Sequence, residues 1–365
     1  MKIIGPVAGI GSRLRPFTFS KPKAFIRVAG KTVLDHIIQK FINTFDSNTD
    51  LILIVGYKKR QIIDHLKRHY SDKFNLIFLE QTPRGYKEDI PFYWGLADAI
   101  YLSHQCFDEK EIKNIDEDKR EGALIFLGDM IPIDEYSYVT MKYYESDVDG
   151  IITVMKVPKE NASSYGVVVT DDNNIITKLV EKPPTFISDL AIAGIYAFSN
   201  SAIKALFNHI KKYLDQRTDE TKEIYMTESM QDLVDDGFKI AAVELKRGML
   251  DFGRPSEVLN GNRFLLENQS IKKEDFQTLN ISVERSFIKN PNYIEKNTRI
   301  INSIIGPYVS IGRNCVIKNS ILENCVIESN NNLSNIISKN SIIGSNVNVE
   351  NLCKDNLIIG DKSVY

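Results

Sequence analysis

The sequence predicts an α/β protein in which a mostly parallel sheet, covered by helices, is followed by a short parallel β-helix. Three observations carry this. Continuous apolar runs alternate with amphipathic helical patterns through the first 130 residues, a strand-rich stretch with turn clusters follows, and from about residue 299 aliphatic residues recur every six positions. Strands buried on both faces read as unbroken apolar runs, because crossover helices cover the sheet on each side.

The elements follow in order. Ile3-Ile4 opens the chain as a short strand. Leu34, Ile37, Ile38, Phe41, Ile42 and Phe45 repeat at i, i+3, i+4, one face of an amphipathic helix. Leu51–Val55, ended by Gly56, is a buried strand; residues 58–70 read as a helix, Leu76–Leu79 as a strand, 92–104 as a helix and Ala123–Leu127 as a strand ending at Gly128-Asp129. Ile151–Val157 is a further strand, and Val167–Thr170 and Ile175–Val180 flank the turn-forming cluster Asp171–Asn174. Leu190–Phe198 is another apolar run, before helical patterns at 201–214 and 226–236 and a strand near 238–246. Pro255 suits the first turn of a helix running to about Asn268.

Beyond residue 299 the spacing of six holds in three triplets: Ile305, Ile311 and Ile317; Ile321, Ile327 and Leu333; Ile337, Ile343 and Val349. Gly306, Gly312 and Gly344 each follow one of these aliphatics, and asparagines crowd the positions between. One inward aliphatic per six residues makes flat β-faces that stack into a solenoid, here about three turns. An ordinary β-meander would not hold that spacing through three triplets.

At 365 residues the chain has room for two or three domains, and 43% hydrophobic with 26% charged residues is ordinary for a globular protein. The formal net charge of −2 gives no global case for nucleic acid or an anionic membrane, so phosphate binding has to be local. No apolar run approaches the roughly 20 residues that cross a bilayer, and the N-terminus enters a core strand with no targeting segment. Cys106, Cys315, Cys325 and Cys353 lack Cys-x-x-Cys spacing, which suits reduced, mostly buried thiols. The compartment expected is the cytoplasm.

The run Ala8-Gly9-Ile10-Gly11-Ser12-Arg13-Leu14-Arg15-Pro16-Phe17-Thr18, continuing to Lys21-Pro22-Lys23, directly follows the first strand. A glycine-rich turn there lets backbone N–H groups approach a phosphate chain, and the cations beyond it can neutralise the same phosphates. Ligands of such sheets bind outside the carboxyl ends of the strands, and the glycine turn, Gln81 and Asp129 all lie at such ends. A lone Lys or Arg is usually a solvated charge, and a lone Asp after a strand is usually a cap or turn residue. The spacings of the whole run weigh against the first of those readings.

The run resembles the opening motif of the sugar nucleotidyltransferases (nucleoside diphosphate sugar pyrophosphorylases), of the glucose-1-phosphate thymidylyltransferase-like kind. These enzymes join a nucleoside triphosphate to a sugar 1-phosphate and release pyrophosphate. The resemblance covers essentially the entire chain. It implies a Rossmann-like, mostly parallel-sheet nucleotidyltransferase domain over residues 1–265, a linker over 266–298 and a hexapeptide-repeat left-handed β-helix over 299–365. It implies that Ala8, Gly9, Gly11 and Ser12 hold the nucleotide, that Arg13 and Lys23 are the catalytic cations, and that Gln81 reads the base with Gly95 beside it. Gly166 and Glu181 would meet the sugar, Lys182 its phosphate, and Gly194 would line the sugar floor, while Asp129 and Asp251 would hold Mg2+. The implied partners are the nucleoside triphosphate and the sugar 1-phosphate, with no nucleic acid, no membrane and a homo-oligomeric assembly. Two features depart from the pattern: Pro6, where many relatives carry leucine, and the long charged and aromatic link from Arg84 to Trp94.

An amide side chain offers one acceptor and two donors, so Gln81 can match the N3–H and O4 edge of uracil or thymine. That favours dTTP or UTP, with glucose 1-phosphate as the default sugar. A GTP-dependent mannose-1-phosphate guanylyltransferase is the alternative within the class. A non-catalytic pyrophosphorylase-like regulatory subunit is the alternative outside it, weighed against by Arg13, Lys23, Asp129 and Asp251 all being present. Acetyl transfer on the β-helix is disfavoured, because hexapeptide acyltransferases use a histidine base and His36, His65, His69, His104 and His209 all precede the repeat.

Overall fold

A computed structural model describes residues 1–87, 90–107, 115–217, 222–268 and 279–364. The chain divides into two compact units, Met1–Gly9 with Ile37–Met249, and Ile10–His36 with Leu250–Tyr365.

The first unit is built on a nine-stranded sheet. Strands β1 (Lys2–Pro6), β2 (Asp50–Val55), β3 (Asn75–Glu80) and β4 (Ala123–Phe126) form its parallel half, with β1 between β4 and β2 and with β3 outside β2. The other half is mixed, made of β5 (Gly150–Lys156), β6 (Gly166–Thr170), β7 (Ile176–Glu181), β8 (Leu190–Phe198) and β9 (Ile240–Glu244). The junction is antiparallel, β8 on β4 with Ile195 opposite Phe126. Strand β8 also carries β5 and β6, β6 and β7 form a hairpin, and β9 runs parallel to β5.

The unbroken apolar runs become this core: Ile3, Ile4, Leu51, Ile52, Leu53, Ile54, Leu124 and Ile125 have no exposure. Gly5 has a specific reason, since a Cβ there would lie 2.1 Å from the Phe126 ring that crosses β1. Phe126 in turn meets Phe41 edge-on at 4.8 Å, which seats the predicted helix, observed at Val33–Ile42, on the sheet.

One predicted helix starts later than expected. Within 92–104, Ile90–Phe92 is a strand paired with Gly85–Lys87, the helix runs Leu96–Tyr101, and a 3-10 turn covers Leu102–Cys106. Pro91 and the positive φ of Gly95 (93°) explain the delay, because neither residue sits well inside a helix.

In the second unit, three short 3-10 turns (Ser12–Leu14, Phe17–Phe19, Lys23–Phe25) carry the basic run, and the helix Pro255–Asn268 follows its predicted bounds. The parallel β-helix comes next, of the left-handed hexapeptide kind. One column stacks Ser282–Glu284, Arg299–Ile301 and Val316–Lys318, and is continued at Asn332 and Asn348. Stacking therefore begins inside the stretch 266–298, and the helix has more coils than the three turns the aliphatic triplets indicated. The first coil's inward residues, Val283, Ile288 and Ile294, are interrupted by Pro291 and do not keep a spacing of six.

Two of the expected inward aliphatics face outward. Ile321 is 43% and Ile337 47% exposed, whereas Leu322 and Ser338 stand in register with buried Ile305. The step from Leu322 to Ile327 is five residues, so counting sixes lands one residue short at that face. The asparagines occupy the corners. Asn297, Asn314, Asn330 and Asn346 all have positive φ, as do Asn302, Asn319, Asn335 and Asn351, a conformation asparagine tolerates better than most residues. Their side-chain amides bond from coil to coil, as Asn297 to Asn314 at 3.1 Å and Asn319 to Asn335 at 3.0 Å.

No disulfide joins the described cysteines; Cys315 and Cys325 are buried, Cys106 half-buried and Cys353 exposed. No helix among the described residues is long and apolar enough to cross a membrane.

Candidate active site

In the first unit, predicted residues gather at the carboxyl ends of β1 to β4. The Ala8 carbonyl accepts from the Tyr57 amide at 3.2 Å, and the Gln81 amide donates to the Val55 carbonyl at 2.8 Å. Gly56 lets these ends approach, since a Cβ there would lie 2.8 Å from Ala8 Cβ and 3.2 Å from the Gln81 carbonyl oxygen. Gly128 does the same between β1 and β4, its absent Cβ lying 2.5 Å from Val7. Half-buried Asp129 follows it. Gly194, at φ 81°, faces Leu127 just beyond the end of the neighbouring strand β4; a Cβ there would stand 2.7 Å from it. Gly194 on β8 and Asp129 just beyond β4 thus lie on neighbouring segments of the sheet.

Gln81 is 4% exposed, so it is not a strand-end surface amide. Its Nε2 donates to Asp98 Oδ2 at 2.7 Å and to the Gly95 carbonyl at 3.4 Å. Asp98, 1% exposed, also accepts from Arg84 Nη2 at 2.7 Å. A carboxylate can only accept, which fixes the orientation of the Gln81 amide without recourse to hydrogen positions. Both its N–H groups are committed, so what the side chain has left to offer is the Oε1 acceptor.

Asp98 and Arg84 were not singled out from sequence. The signal was there for Asp98, a lone acid between Ala97, Ala99 and Ile100 in a helical stretch. Arg84 opens the 84–94 link, and its guanidinium lies 4.4 Å from the Trp94 ring centroid, with that of Arg217 at 4.3 Å. Cations so placed are attracted to the indole quadrupole. Gly95 follows with φ 93°, its absent Cβ 3.0 Å from the Ile224 carbonyl.

The β6–β7 hairpin brings Gly166 directly opposite Glu181. A side chain at Gly166 would meet Glu181 Oε2 and Thr227 Cγ2, each at 3.0 Å. Thr227 Oγ1 donates to Glu181 Oε2 at 3.2 Å, so a threonine outside the predicted set orients the expected sugar acceptor. Lys182 is in the left-handed region at φ 40°, with its Nζ 3.3 Å from Glu181 Oε1 and 5.3 Å from the Tyr225 ring centroid. Burial first, and the Glu181 carboxylate second, push the Tyr196 phenol upward, so it stays neutral.

In the second unit, Gly11 has φ 67° and leads into the turn Ser12–Leu14. Thr18 Oγ1 donates to the Gly11 carbonyl at 2.9 Å, and a Cβ on Gly11 would meet Thr18 Cγ2 at 2.9 Å and Lys23 Cβ at 3.0 Å. The backbone turn and Lys23 are therefore in contact. Ser12 and Arg13 are exposed, and Lys23 is half-buried. Arg15 stacks at 4.9 Å over the exposed Phe19. Asp251 Oδ1 accepts the Gly253 amide at 2.8 Å, and a Cβ at Gly253 would lie 3.2 Å from that oxygen and 3.4 Å from Arg13 Nη2. Gly253 thus brings the second aspartate and the first cation together.

The first unit thus carries strand-end carboxylates and a hairpin with Gly166 opposite Glu181, and the second a glycine turn followed by basic side chains. The nucleotidyl transferase family model matches residues 7–268, and the GlmU-like C-terminal hexapeptide model matches 266–336. The chain belongs to the nucleotidyl transferase family. It is 33% identical over 267 residues to the bifunctional protein GlmU of Methanocaldococcus jannaschii, a match spanning 73% of this chain but 55% of that protein. It is 27% identical over 333 residues to the low-salt glycan biosynthesis nucleotidyltransferase Agl11 of Haloferax volcanii, covering 87% of this chain and 85% of that one. The UTP–glucose-1-phosphate uridylyltransferase AglF of the same organism is 30% identical over 257 residues, 70% of this chain and 93% of its own length. Among solved structures, a UDP-glucose pyrophosphorylase complexed with UDP-glucose superposes with TM-score 0.58 at 19% identity, over 73% of this chain and 99% of that one. A UDP-glucose pyrophosphorylase from Acinetobacter baumanii gives 0.56 at 20% identity, over 76% and 97%. These structural likenesses establish the fold.

Proposed function

We propose that the chain is a sugar-1-phosphate nucleotidyltransferase that takes dTTP or UTP and a sugar 1-phosphate, glucose 1-phosphate by default. A phosphate oxygen of the sugar attacks the α-phosphorus; the new P–O bond forms as the bond to the β-phosphate bridging oxygen breaks, releasing pyrophosphate. Such a transfer needs positioning and charge neutralisation rather than a protein nucleophile. The observation that carries the base assignment is the Gln81 amide, held by Asp98 so that an acceptor remains for a pyrimidine N3–H.

The reading assigns Ala8, Gly9, Gly11 and Ser12 to the phosphate chain through backbone amides, with Arg13 and Lys23 neutralising it. It assigns the sugar to Gly166, Glu181 and Gly194, with Thr227 orienting Glu181, and the sugar phosphate to Lys182. Asp129 and Asp251 are hard oxygen donors, and Asp251 is held in place by the Gly253 amide. Each offers the hard oxygen that Mg2+ prefers, an ion that takes its remaining ligands from phosphates and water. The bound ion would supply further neutralisation of the phosphate charge. Catalysis belongs to residues 1–265 in this reading, and the molecule acts on small substrates in the cytoplasm as a homo-oligomer.

The test is pyrophosphate release over a grid of nucleoside triphosphates and sugar 1-phosphates with Mg2+. Release with UTP or dTTP and a hexose 1-phosphate supports the reading. A GTP and mannose 1-phosphate optimum reassigns the substrates, and no release across the panel points to a regulatory subunit instead.

A further inference from the structure

The basic run of the second unit is gripped by the far end of the β-helix. Lys21 bonds to Glu328, which is 307 residues away, and lies 3.0 Å from Asp361 Oδ1. The three side chains are 12%, 4% and 11% exposed. Ser20 Oγ donates to Asp361 Oδ2. The two carboxylates come from the coils on either side of the one that carries Ser345 and are tied through that residue: Ser345 Oγ donates to Glu328 Oε2 at 2.8 Å, and the Ser345 amide donates to Asp361 Oδ1 at 2.8 Å. A few residues earlier Pro16 packs on Gly360, where a Cβ would stand 2.9 Å from Pro16 Cβ.

We propose that Lys21, Glu328 and Asp361 form a charge clamp through which the last coils of the β-helix fix the phosphate-binding segment Gly11–Lys23. Glu328 and Asp361 are then positioning residues for Arg13 and Lys23. The clamp rests on the nucleotidyltransferase reading and gives the β-helix a part in it. Two carboxylates around one largely buried ammonium are held by mutual attraction and hydrogen bonds, and removing one member leaves an uncompensated buried charge. The grip transmits because the chain is stiff there. Pro22 fixes φ at −63° between Lys21 and Lys23, and Lys23 opens a 3-10 turn. Arg13 lies three residues before the Pro16 contact and Lys23 two beyond Lys21, so both cations flank points that the β-helix holds. A helix serving only as an oligomer or stability module would have no reason to place charge on this segment.

The experiment uses the full-length chain with Lys21→Met, Lys21→Arg, Glu328→Gln and Asp361→Asn, measuring pyrophosphate release and thermal midpoint. The expected result is a rise in the KM for the nucleoside triphosphate of about tenfold in Lys21→Met and Asp361→Asn, inside the roughly hundredfold that a misplacement of about 1 Å can cost. The KM for the sugar phosphate should hardly move, the midpoint should fall more in Lys21→Met, which strands two buried carboxylates, than in Asp361→Asn, and Lys21→Arg should recover most of both losses. The double variant Lys21→Met/Asp361→Asn should be no worse than Lys21→Met, because the two share one interaction. If Lys21→Met loses its folding transition, Asp361→Asn, close to the C-terminus and nearly isosteric, decides alone. An active wild type whose variants keep their triphosphate KM overturns the clamp and leaves the functional reading standing. A wild type that releases no pyrophosphate overturns the reading, and the clamp with it.

Discussion

Replacing Asp98 by asparagine tests the base assignment at a buried residue whose carboxylate bonds to Gln81 and Arg84. Asp98 is 1% exposed and accepts from Gln81 Nε2 and Arg84 Nη2, each at 2.7 Å. An asparagine of the same shape carries one acceptor and one donor, so one of those two partners must face a donor. The relaxed arrangement turns the Gln81 amide over, presenting Nε2 where Oε1 had been. A pyrimidine N3–H then meets a donor instead of an acceptor. The bond lost to the pyrimidine joins neutral groups, about 0.5–1.5 kcal/mol, and the two donors left facing each other add about 1–3 kcal/mol, with about 1.4 kcal/mol a factor of ten. Arg84, with 35% of its side chain exposed, retains solvation when its partner is neutralised, so its share is discounted. The expected loss therefore lies near the low end, about ten- to thirtyfold in kcat/KM for UTP or dTTP, carried mainly by KM. The assay is pyrophosphate release with each of the four bases at one sugar phosphate. A folded Asp98→Asn protein with an unchanged nucleotide ranking would falsify the orientation argument. An equal fall for every base would do the same, because it would mean a general loss of structure.

Three further outcomes are expected. Asp129→Ala should abolish turnover while its thermal midpoint stays near wild type, and near-normal activity would remove Asp129 from the metal site. Asn319→Ala should destabilise the β-helix by about 1–2 kcal/mol from its left-handed φ of 48°, plus the lost amide bond to Asn335; an unchanged denaturation midpoint would contradict the ladder. Burial pushes the Cys315 and Cys325 thiols up to about 12, so at pH 8 only about one in ten thousand is a thiolate. A thiol reagent should therefore modify exposed Cys353 in the native protein and reach Cys315 and Cys325 only after denaturation. Fast native labelling at either buried position would contradict the packing.

Much of the fold is legible because burial leaves a period in the chain. Leu190–Phe198 and Pro255–Asn268 match their predicted bounds, the strand because burial on both faces leaves an unbroken apolar run and the helix because Pro255 marks its first turn. Where local chemistry interrupts the period, reading fails. Pro91 and Gly95 hide a hairpin before the Leu96 helix, and a five-residue step after Leu322 turns Ile321 and Ile337 to solvent. Site residues divide the same way. Gly166 and Glu181 are legible as a pair because a short hairpin ties their register to the sequence between them. Thr227 on Glu181 is not, since the helix that carries it is placed by tertiary packing.

The amino-acid sequence alone determined the order of strands and helices, the glycine turn at Gly11, and the stacking solenoid with asparagines between its aliphatics. All of these arise from short-range spacing and backbone preference. Tertiary structure decided which way the Gln81 amide points, that Asp98 and Arg84 hold it, and that Lys21 answers to Glu328 and Asp361. Those are matters of partnership between buried polar groups distant along the chain. A hydrogen bond or ion pair across 307 residues imposes no periodicity on the sequence between its ends, so only the folded geometry brings it into view.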